Sequence, residues 1–385
     1  MTPIKAIRLA GALSLLSITG CRHAPTAEAK SPTATPVSNE PLRPEALMDQ
    51  AAADAMLANL EKSEATLRGP APEPVFERLE KDHHRLNAVL AWFKVHDHPK
   101  GLRAVSLLPS YWTMSGHIPE GRAWVETFLA FPENEGTSIP RAKALVALGY
   151  LAFRQGDTAA AKPALDEALA EANALGDKVT AADALVGLGR VALREENLDR
   201  VYQVAQQAKK LYTEAGDRNQ LSLPTHLMAE ATRMRGRYPE AAKLYRESLQ
   251  LATEQGNRKV IAVENSNLAA VAIHDRNWEE ANRFNRESLR VCWEIKNSYL
   301  LPYEFMVAGE IAAGRGNYSR AAKLLGAADS LFKSTGAAID PADKNGFDAA
   351  LADTKKNHDP KKFDADWAEG SALPVEKAVA LALEK

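Results

Sequence analysis

The chain has 385 residues, 45% of them hydrophobic and 25% charged, so it is long enough to bury a sizeable core and is not a disordered polypeptide overall. Lys and Arg number 48 and Asp and Glu number 50, and the resulting net charge of -2 lacks the positive field that nucleic-acid binding requires. The two cysteines, Cys21 and Cys292, are too few for a disulfide framework or a cysteine-based zinc site.

Residues 1–20 have the features of a bacterial export signal in the usual order. Lys5 and Arg8 precede an apolar run over residues 9–18 that is too short to span a bilayer as a stable helix. The run ends in the letters ITGC, which are residues 18–21. These four residues resemble the lipobox of bacterial lipoproteins, in which the cysteine receives a diacylglycerol. We therefore predict a lipoprotein signal peptide over residues 1–20 and a membrane-anchoring lipid on Cys21.

The segment after this cysteine predicts a tether and a location. Five prolines occur between residues 22 and 46, so residues 21–46 are expected to form a Pro-rich, extended tether rather than a helix or strand. Arg22 follows the cysteine, and the absence of Asp there resembles lipoproteins that are sent to the outer membrane. We expect an exported lipoprotein of the outer membrane, facing the periplasm or the cell surface.

Turn-forming residues recur every twenty residues from His96 to Gly336. Nine of the thirteen positions are glycine, the residue that most readily takes the left-handed conformation that ends a helix. The positions are His96, Gly116, Gly136, Gly156, Gly176, Glu196, Gly216, Gly236, Gly256, Arg276, Lys296, Gly316 and Gly336. Two steps make a helix-turn-helix unit of forty residues.

Columns of residues forty positions apart support this unit. The large column is Leu148, Leu188, Met228, Leu268 and Ala308, and the small column is Gly149, Gly189, Ala229, Ala269 and Gly309. This alternation resembles the tetratricopeptide (TPR) pattern, although its step is longer than the usual one of about thirty-four residues. We predict an all-α fold, a right-handed α-solenoid of TPR-like helix-turn-helix repeats with a forty-residue step.

The ends of the chain are predicted to differ from the repeats. The regions are N-terminal capping helices over residues 47–99, TPR-like repeats over residues 100–337 and C-terminal capping helices over residues 338–385. The first region is expected to contain two helices, over residues 47–67 and 75–95. Three prolines that suit first helical positions or helix starts predict three short helices after Gly336.

Several segments carry a resemblance to a known family. Residues 79–92 read LEKDHHRLNAVLAW, residues 116–122 read GHIPEGR, and residues 320–328 and 367–373 read RAAKLLGAA and WAEGSAL. Over residues 47–384 the chain resembles the helical-repeat region of large bacterial LuxR/MalT-type signal-transduction ATPase regulators. The resemblance implies a sensing or docking module. A G-x-x-x-x-G-K-[ST] motif is absent from the sequence, so no nucleotide is an expected partner. Nucleic acid is not expected either, because of the net charge of -2.

The sequence shows no pattern of an enzyme or a metal site. His83, His84, His96 and His98 form no H-E-x-x-H motif, and we interpret them as surface or capping side chains. G-x-S-x-G is also absent, and Cys292 is expected to be a buried, unreactive thiol. We therefore expect no catalysis, no cofactor and no metal.

By analogy with TPR proteins, a partner would bind the concave surface formed by the first helix of each repeat. The columns place Phe153 and Met306 there. They also place there the ten residues that we predict to form the partner-binding groove: Tyr150, Arg154, Arg190, Arg194, His226, Glu230, Arg233, His274, Tyr303 and Glu310. Guanidinium groups fork onto carboxylates, so such a groove would suit an acidic partner or a C-terminal carboxylate. The alternative interpretation is that these are ordinary solvated positions.

These observations favour a membrane-tethered, non-enzymatic scaffold that binds a protein or peptide. A small-molecule sensor is an alternative, because the resemblance to MalT-type proteins implies inducer binding by the repeats. A cytoplasmic regulatory fragment with an accidental signal-like segment is a further alternative. A closed apolar pocket would favour a small molecule, and an open charged trough would favour a peptide.

Overall fold

Nineteen α-helices and no β-strand make up residues 48–384, the part of the chain that this computed structural model describes. The predicted signal peptide of residues 1–20, the lipidation site Cys21 and the tether of residues 21–46 lie outside the described residues. Between residues 48 and 384, no helix is both long enough and apolar enough to cross a membrane. The predicted all-α fold class is confirmed.

Six helices precede the regular hairpins. They are α1 (Gln50–Arg68), α2 (Glu73–Lys81), α3 (His83–His96), α4 (His98–Ser106), α5 (Pro109–Met114) and α6 (Ile118–Leu129). The single helix predicted over residues 75–95 is wrong, because α2 and α3 are separated at Asp82, whose backbone has φ -106° and ψ 19°. Aspartate favours helix ends over helix interiors, since its side chain competes for backbone hydrogen bonds.

Five helix-turn-helix hairpins follow. They are α7 (Ile139–Arg154) with α8 (Thr158–Leu175), α9 (Lys178–Arg194) with α10 (Leu198–Ala215), α11 (Ser222–Met234) with α12 (Tyr238–Gln255), α13 (Arg258–His274) with α14 (Trp278–Glu294), and α15 (Leu301–Gly314) with α16 (Tyr318–Thr335). Their second helices, together with α6, begin at residues 118, 158, 198, 238, 278 and 318. The forty-residue step is therefore confirmed in the spacing of these helices.

The turn positions of the sequence set this spacing. All nine glycines of the register have a positive φ, between 65° and 91°. Glu196, Arg276 and Lys296 also lie in the left-handed region, with φ between 52° and 56°, although an L side chain is disfavoured there. His96 differs, because it ends α3 and Asp97 is both the C-cap of α3 and the N-cap of α4.

Three helices follow Gly336, the number that the prolines predict: α17 (Pro341–Asn357), α18 (Pro360–Ser371) and α19 (Val375–Leu383). α17 has 17 residues and is therefore not the short helix that was expected. α18 lies closely along α16, and a Cβ atom at Gly370 would come within 2.0 Å of the Lys323 carbonyl oxygen. The glycine is therefore required for this approach. α17 instead crosses the inner helices and contacts α9, α11 and α15.

The stack of hairpins turns back on its own beginning. The Ser298 amide and hydroxyl both donate to the Met114 carbonyl, at 3.0 and 2.7 Å, so the start of α15 touches the end of α5. The Gln220 side chain donates to the Arg68 carbonyl at 2.7 Å, which ties α11 to the end of α1. Because of these long-range contacts, the inner helices face one another across an interior space.

The left-handed turn at Glu196 gives a test of the register. Glu196→Gly should raise the free energy of unfolding by about 1 kcal/mol, because glycine takes this backbone conformation without the steric cost of a Cβ atom. Glu195→Gly is the matched control: the neighbouring residue has φ -83°, and glycine there should destabilise the protein. Denaturant unfolding of both variants measures the difference. A Glu196→Gly variant less stable than the native protein would contradict the assigned turn.

Candidate functional site

The inner helices surround a cavity of about 270 Å³, which we call the chamber. Its wall is formed by residues of α7, α9, α11, α13 and α15, the first helix of each hairpin. Arg68 and Pro72, around the connection from α1 to α2, wall it on the N-terminal side. Asp340 and Asp343, at the start of α17, wall it on the C-terminal side. The chamber is thus built by both ends of the folded chain.

Six of the ten residues predicted to form a partner-binding groove line the chamber, and four do not. The six are Tyr150, Arg154, Arg190, His226, Glu230 and Tyr303, and the four are Arg194, Arg233, His274 and Glu310. The expectation of an open, solvated groove is wrong for Arg154, Arg190 and Arg233, which are only 5%, 8% and 8% exposed. The cause is the closure of the solenoid, which turns its concave face inward.

Two of the four residues outside the chamber hold other parts of the fold. Arg233 donates to an Asp343 carboxylate oxygen at 2.6 Å and to the Tyr245 hydroxyl at 3.1 Å, so it joins α11 to α17 and α12. Arg194 is half-buried, with its guanidinium 4.6 Å from the centre of the Phe153 ring. Phe153 itself is 2% exposed and belongs to the hydrophobic core.

The other two lie away from the cavity. His274 is exposed at the end of α13, where its ring stacks on Tyr238 at a centroid distance of 3.5 Å. Glu310 is half-buried beside Gly346 of α17. Burial and the nearby Asp343 carboxylate raise the pKa of Glu310 to about 8, although Arg233 opposes this rise. Neither His274 nor Glu310 can contact a ligand inside the chamber in this arrangement.

Arg154 is the centre of a buried polar network. Its guanidinium donates to the Tyr299 hydroxyl, to the Asp340 carboxylate at 3.1 Å and to the Tyr150 hydroxyl at 3.1 Å. The Arg154 carbonyl also accepts a hydrogen bond from the Ala338 amide at 2.7 Å. Arg154 of α7 therefore fixes both the turn before α15 and the segment that leads into α17.

A second network surrounds His226. Its Nδ1 lies 3.1 Å from a Glu264 carboxylate oxygen, its Nε2 lies 3.3 Å from Glu230, and the Ser248 hydroxyl donates to Glu264 at 2.6 Å. Burial alone would lower the pKa of His226, but the Glu230 and Glu264 carboxylates outweigh it and raise this pKa to about 10. Burial would likewise raise the pKa of Glu230, but the His226 charge lowers it to about 2. His226 is thus held as a cation between two carboxylates.

Glu304 is a buried carboxyl group that forms no ion pair with any residue between 48 and 384. It is fully buried, and its Oε2 accepts a hydrogen bond from the Asn285 side chain at 3.0 Å. Burial raises the pKa of Glu304 to about 8, although hydrogen bonds from Ser288, Ser266 and Asn285 oppose the rise. Cys292 lies behind it, fully buried, and burial raises the pKa of its thiol as expected for an unreactive cysteine.

Glu264 and Glu304 line the chamber, but the groove prediction did not include them. They are forty residues apart and so occupy the same column of the repeat, where earlier repeats have Ala144, Ala184 and Pro224. A carboxylate that replaces a small apolar residue in a buried column is a signal that the sequence did contain. This column could have predicted that the fourth and fifth hairpins each place a carboxyl group in the protein interior.

Five carboxylates that line the chamber form ion pairs with cations of this same chain. The pairs are Asp183 with Arg68, Asp340 with Arg154, Asp343 with Arg233, and Glu230 and Glu264 with His226. Arg190 and Lys259 also line the chamber, and among the described residues neither forms an ion pair. Lys259 was missed from the sequence, because it lies at the start of α13 rather than in its last turns.

These two cations act on Tyr150. Burial would raise the pKa of this phenol, but the charges of Arg154, Lys259 and Arg190 outweigh it and lower the pKa to about 7. Tyr150 and Lys259 are half-buried, since both face the cavity. This side of the chamber is therefore strongly positive.

One group of side chains outside the chamber has metal-ligand chemistry. Ligand atoms of Glu80, His83 and His117 all lie within 4.8 Å of one another. The two imidazole rings are stacked, with centroids 4.2 Å apart and planes 19° apart, so their lone pairs run side by side rather than converge on one ion. His83 is half-buried and bonds to Tyr111 at 2.8 Å, which corrects its interpretation as a surface or capping residue.

No protein-family model and no curated protein matches the chain. Among solved structures, it is similar to a Rap protein complexed with competence and sporulation factor, with a TM-score of 0.55, 12% sequence identity and coverage of 86% of this chain and 100% of that one. It is also similar to NprR in complex with its cognate peptide NprX, with a TM-score of 0.50, 14% identity and coverage of 85% and 91%. These similarities confirm the fold, an all-α TPR-like solenoid. The finer resemblance to LuxR/MalT-type regulators stays a prediction.

The raised pKa of Glu304 predicts a pH dependence of stability. A carboxyl group whose pKa rises from 4.5 to about 8 on folding is neutral in the folded protein at low pH, and stability is lost as pH rises through about 8. Glu304→Gln removes this loss, so the variant should gain on the order of 4 kcal/mol relative to the native protein between pH 5 and pH 9. Unfolding experiments at both pH values measure the gain.

Exposed Glu287, on α14, provides the control, because Glu287→Gln changes the same chemical group outside the core. Its stability relative to the native protein should stay nearly constant between the two pH values. A Glu304→Gln difference that is equally flat would mean that Glu304 is charged in the folded protein throughout this range.

Proposed function

We propose that this chain is a non-enzymatic binding protein that holds a short peptide in the chamber. The observation that carries the proposal is the chamber itself, in which the inner helices of five hairpins converge on one cavity of about 270 Å³. The similarity to NprR, solved in complex with its cognate peptide NprX, supports a peptide as the ligand class. A folded protein partner would not fit a cavity of this size, so the scaffold function predicted from the sequence narrows to a short segment.

The chemistry of the lining favours binding over catalysis. His226, the histidine that lines the chamber, is held as a cation between two carboxylates and so is not available as a general base near neutral pH. Cys292 is fully buried and its pKa is raised, which suppresses the thiolate that a nucleophilic mechanism needs.

A small molecule is the second candidate ligand, and the size of the chamber favours it. Small-molecule sites commonly have volumes of about 300–1,000 Å³ and a few polar groups in a largely apolar wall. The chamber, at about 270 Å³, lies just below this range and includes apolar side chains such as Val263 and Met306. A sensor of the kind implied by the MalT-type resemblance would use such a pocket.

Filling the chamber should abolish peptide binding. Val263→Trp places an indole in the cavity from α13, and retention of a random pentapeptide pool by the full chain should fall about tenfold or more. Ile261→Trp is the matched control, because it lies on the same helix but does not line the chamber. Size-exclusion separation followed by mass spectrometry of the retained peptides gives the measurement.

The results separate the two ligand classes. Equal retention by Val263→Trp and the native chain would place peptide binding outside the chamber. If the native chain retains members of a metabolite pool but no peptides, and Val263→Trp loses this retention, the ligand of the chamber is a small molecule and not a peptide. Circular dichroism of both tryptophan variants checks that each one is folded.

We also propose that the protein is a lipoprotein tethered through Cys21, at the outer membrane and facing the periplasm or the cell surface. The support is the order of Lys5 and Arg8, the apolar run of residues 9–18, the letters ITGC and Arg22 in the sequence. A Pro-rich tether over residues 21–46 would hold the chamber away from the lipid headgroups.

Lipidation gives a direct test of this location. Radiolabelled palmitate should be incorporated into the native chain and not into Cys21→Ser, and globomycin should block processing of the signal peptide. Cys292→Ser is the control and should label fully, since this thiol is buried in the core. Absence of label and of globomycin sensitivity would instead favour the cytoplasmic regulatory fragment.

A further inference from the structure

Two cations of the chamber lack the partners that the others have. Of the paired ones, Arg68 lies 2.6 Å from Asp183 and Arg154 lies 3.1 Å from Asp340. Arg190 is 8% exposed and lines the cavity, yet no ion pair or hydrogen bond joins its guanidinium to another side chain within the described residues. Lys259 also lines the cavity, is half-buried, and forms no ion pair or side-chain hydrogen bond with residues 48–384.

A buried guanidinium without a counter-charge is unfavourable, because it gives up hydration and gains no comparable interaction. Two carboxylates influence these cations from a distance. Glu230 is affected by the charge of Arg190, and Glu73, at the start of α2, is close enough to favour the charged form of Lys259. Neither is within ion-pair distance, and Glu230 is already engaged by His226. The position between Arg190 and Lys259 is therefore suited to an anion from outside the chain.

We propose that Arg190 and Lys259 form a subsite that binds a carboxylate of the ligand. This inference rests on the proposed function and names the ligand group that the chamber recognises. Arginine presents a planar fork of donors that matches a carboxylate, and lysine adds a point charge. Arg190, on α9, and Lys259, on α13, both line the same cavity.

The carboxylate has two sources that the geometry fits equally, the C-terminus of a peptide and a free small carboxylic acid. Both place one planar anion at the positive side of the chamber and leave the rest of the ligand against the apolar wall. The experiment therefore uses both kinds of probe on the full chain.

The peptide probes are two pentapeptide pools without Asp or Glu, one with free C-terminal carboxylates and one amidated. The native chain should retain the free-acid pool about tenfold better than the amidated pool. Lys259→Gln and Arg190→Gln should bring this ratio close to one. Arg258→Gln is the matched control: it removes a positive charge from the adjacent residue, which is exposed and pairs with Glu294, and should leave the ratio unchanged.

The small-acid probes are acetate, succinate and citrate, with the melting temperature as the readout. A rise in melting temperature in the native chain that is lost in Lys259→Gln, without retention of either peptide pool, would support the subsite and overturn the peptide as the ligand. Because Arg190 is buried, its variant could be unstable, and Lys259→Gln, at a half-buried position without an ion pair, keeps the test valid.

Two results would overturn the subsite. If the native chain retains the free-acid and amidated pools equally, and the small acids leave its melting temperature unchanged, the chamber binds peptides without reading a carboxylate, and only this inference fails. If neither pool is retained and no acid changes the melting temperature, both the subsite and the proposed peptide function fail.

Discussion

The chamber depends on the burial of one guanidinium, that of Arg154. A cation in the protein interior is destabilising unless carboxylates and hydroxyl groups surround it. Tyr299 and Asp340 supply such groups, and both belong to the distal end of the solenoid. Arg154 lies on α7, in the first of the five regular hairpins, so its burial requires the stack to complete a turn. Once the stack has done so, the inner helices face a shared cavity instead of open solvent.

Two carboxylates at the start of α17, those of Asp340 and Asp343, have two effects: they favour the beginning of the helix and they pair with arginines of the inner helices. Asp340 is the N-cap residue of α17 and Asp343 lies in its first turn, where negative charge is favourable because of the helix dipole. The same carboxylates pair with Arg154 and Arg233 on the inner helices. The charges that favour the beginning of α17 therefore also fix its place across the solenoid, and the C-terminal helices help to build the chamber in addition to covering the end of the stack.

The sequence predicted the features that depend on residues close together in the chain. It did not predict those that depend on contacts between the two ends of the solenoid. Turn residues every twenty positions predicted the hairpins, because left-handed backbone is needed wherever such a turn occurs. Six of the ten predicted groove residues also line one cavity, because the repeat columns identify the inner face of each helix. Burial of the arginines was not predictable in this way, because Asp340 lies 186 positions from Arg154 and Asp343 lies 110 positions from Arg233. The charged residues missed inside the chamber include Lys259, Glu264 and Glu304, which lie outside the columns used for the groove.

Arg190 and Lys259 show where stability and binding oppose each other. The paired arginines stabilise the closed solenoid, because each one meets a carboxylate of a distant helix. An unpaired cation in the same cavity makes no such contribution, and its desolvation is unfavourable until an anion arrives. In the empty chamber, Arg190 and Lys259 make no ion pairs. These ion pairs form when a carboxylate binds, and their free energy then contributes to the affinity for the ligand. A second acidic side chain beside Arg190 would stabilise the empty protein, and it would weaken binding for the same reason.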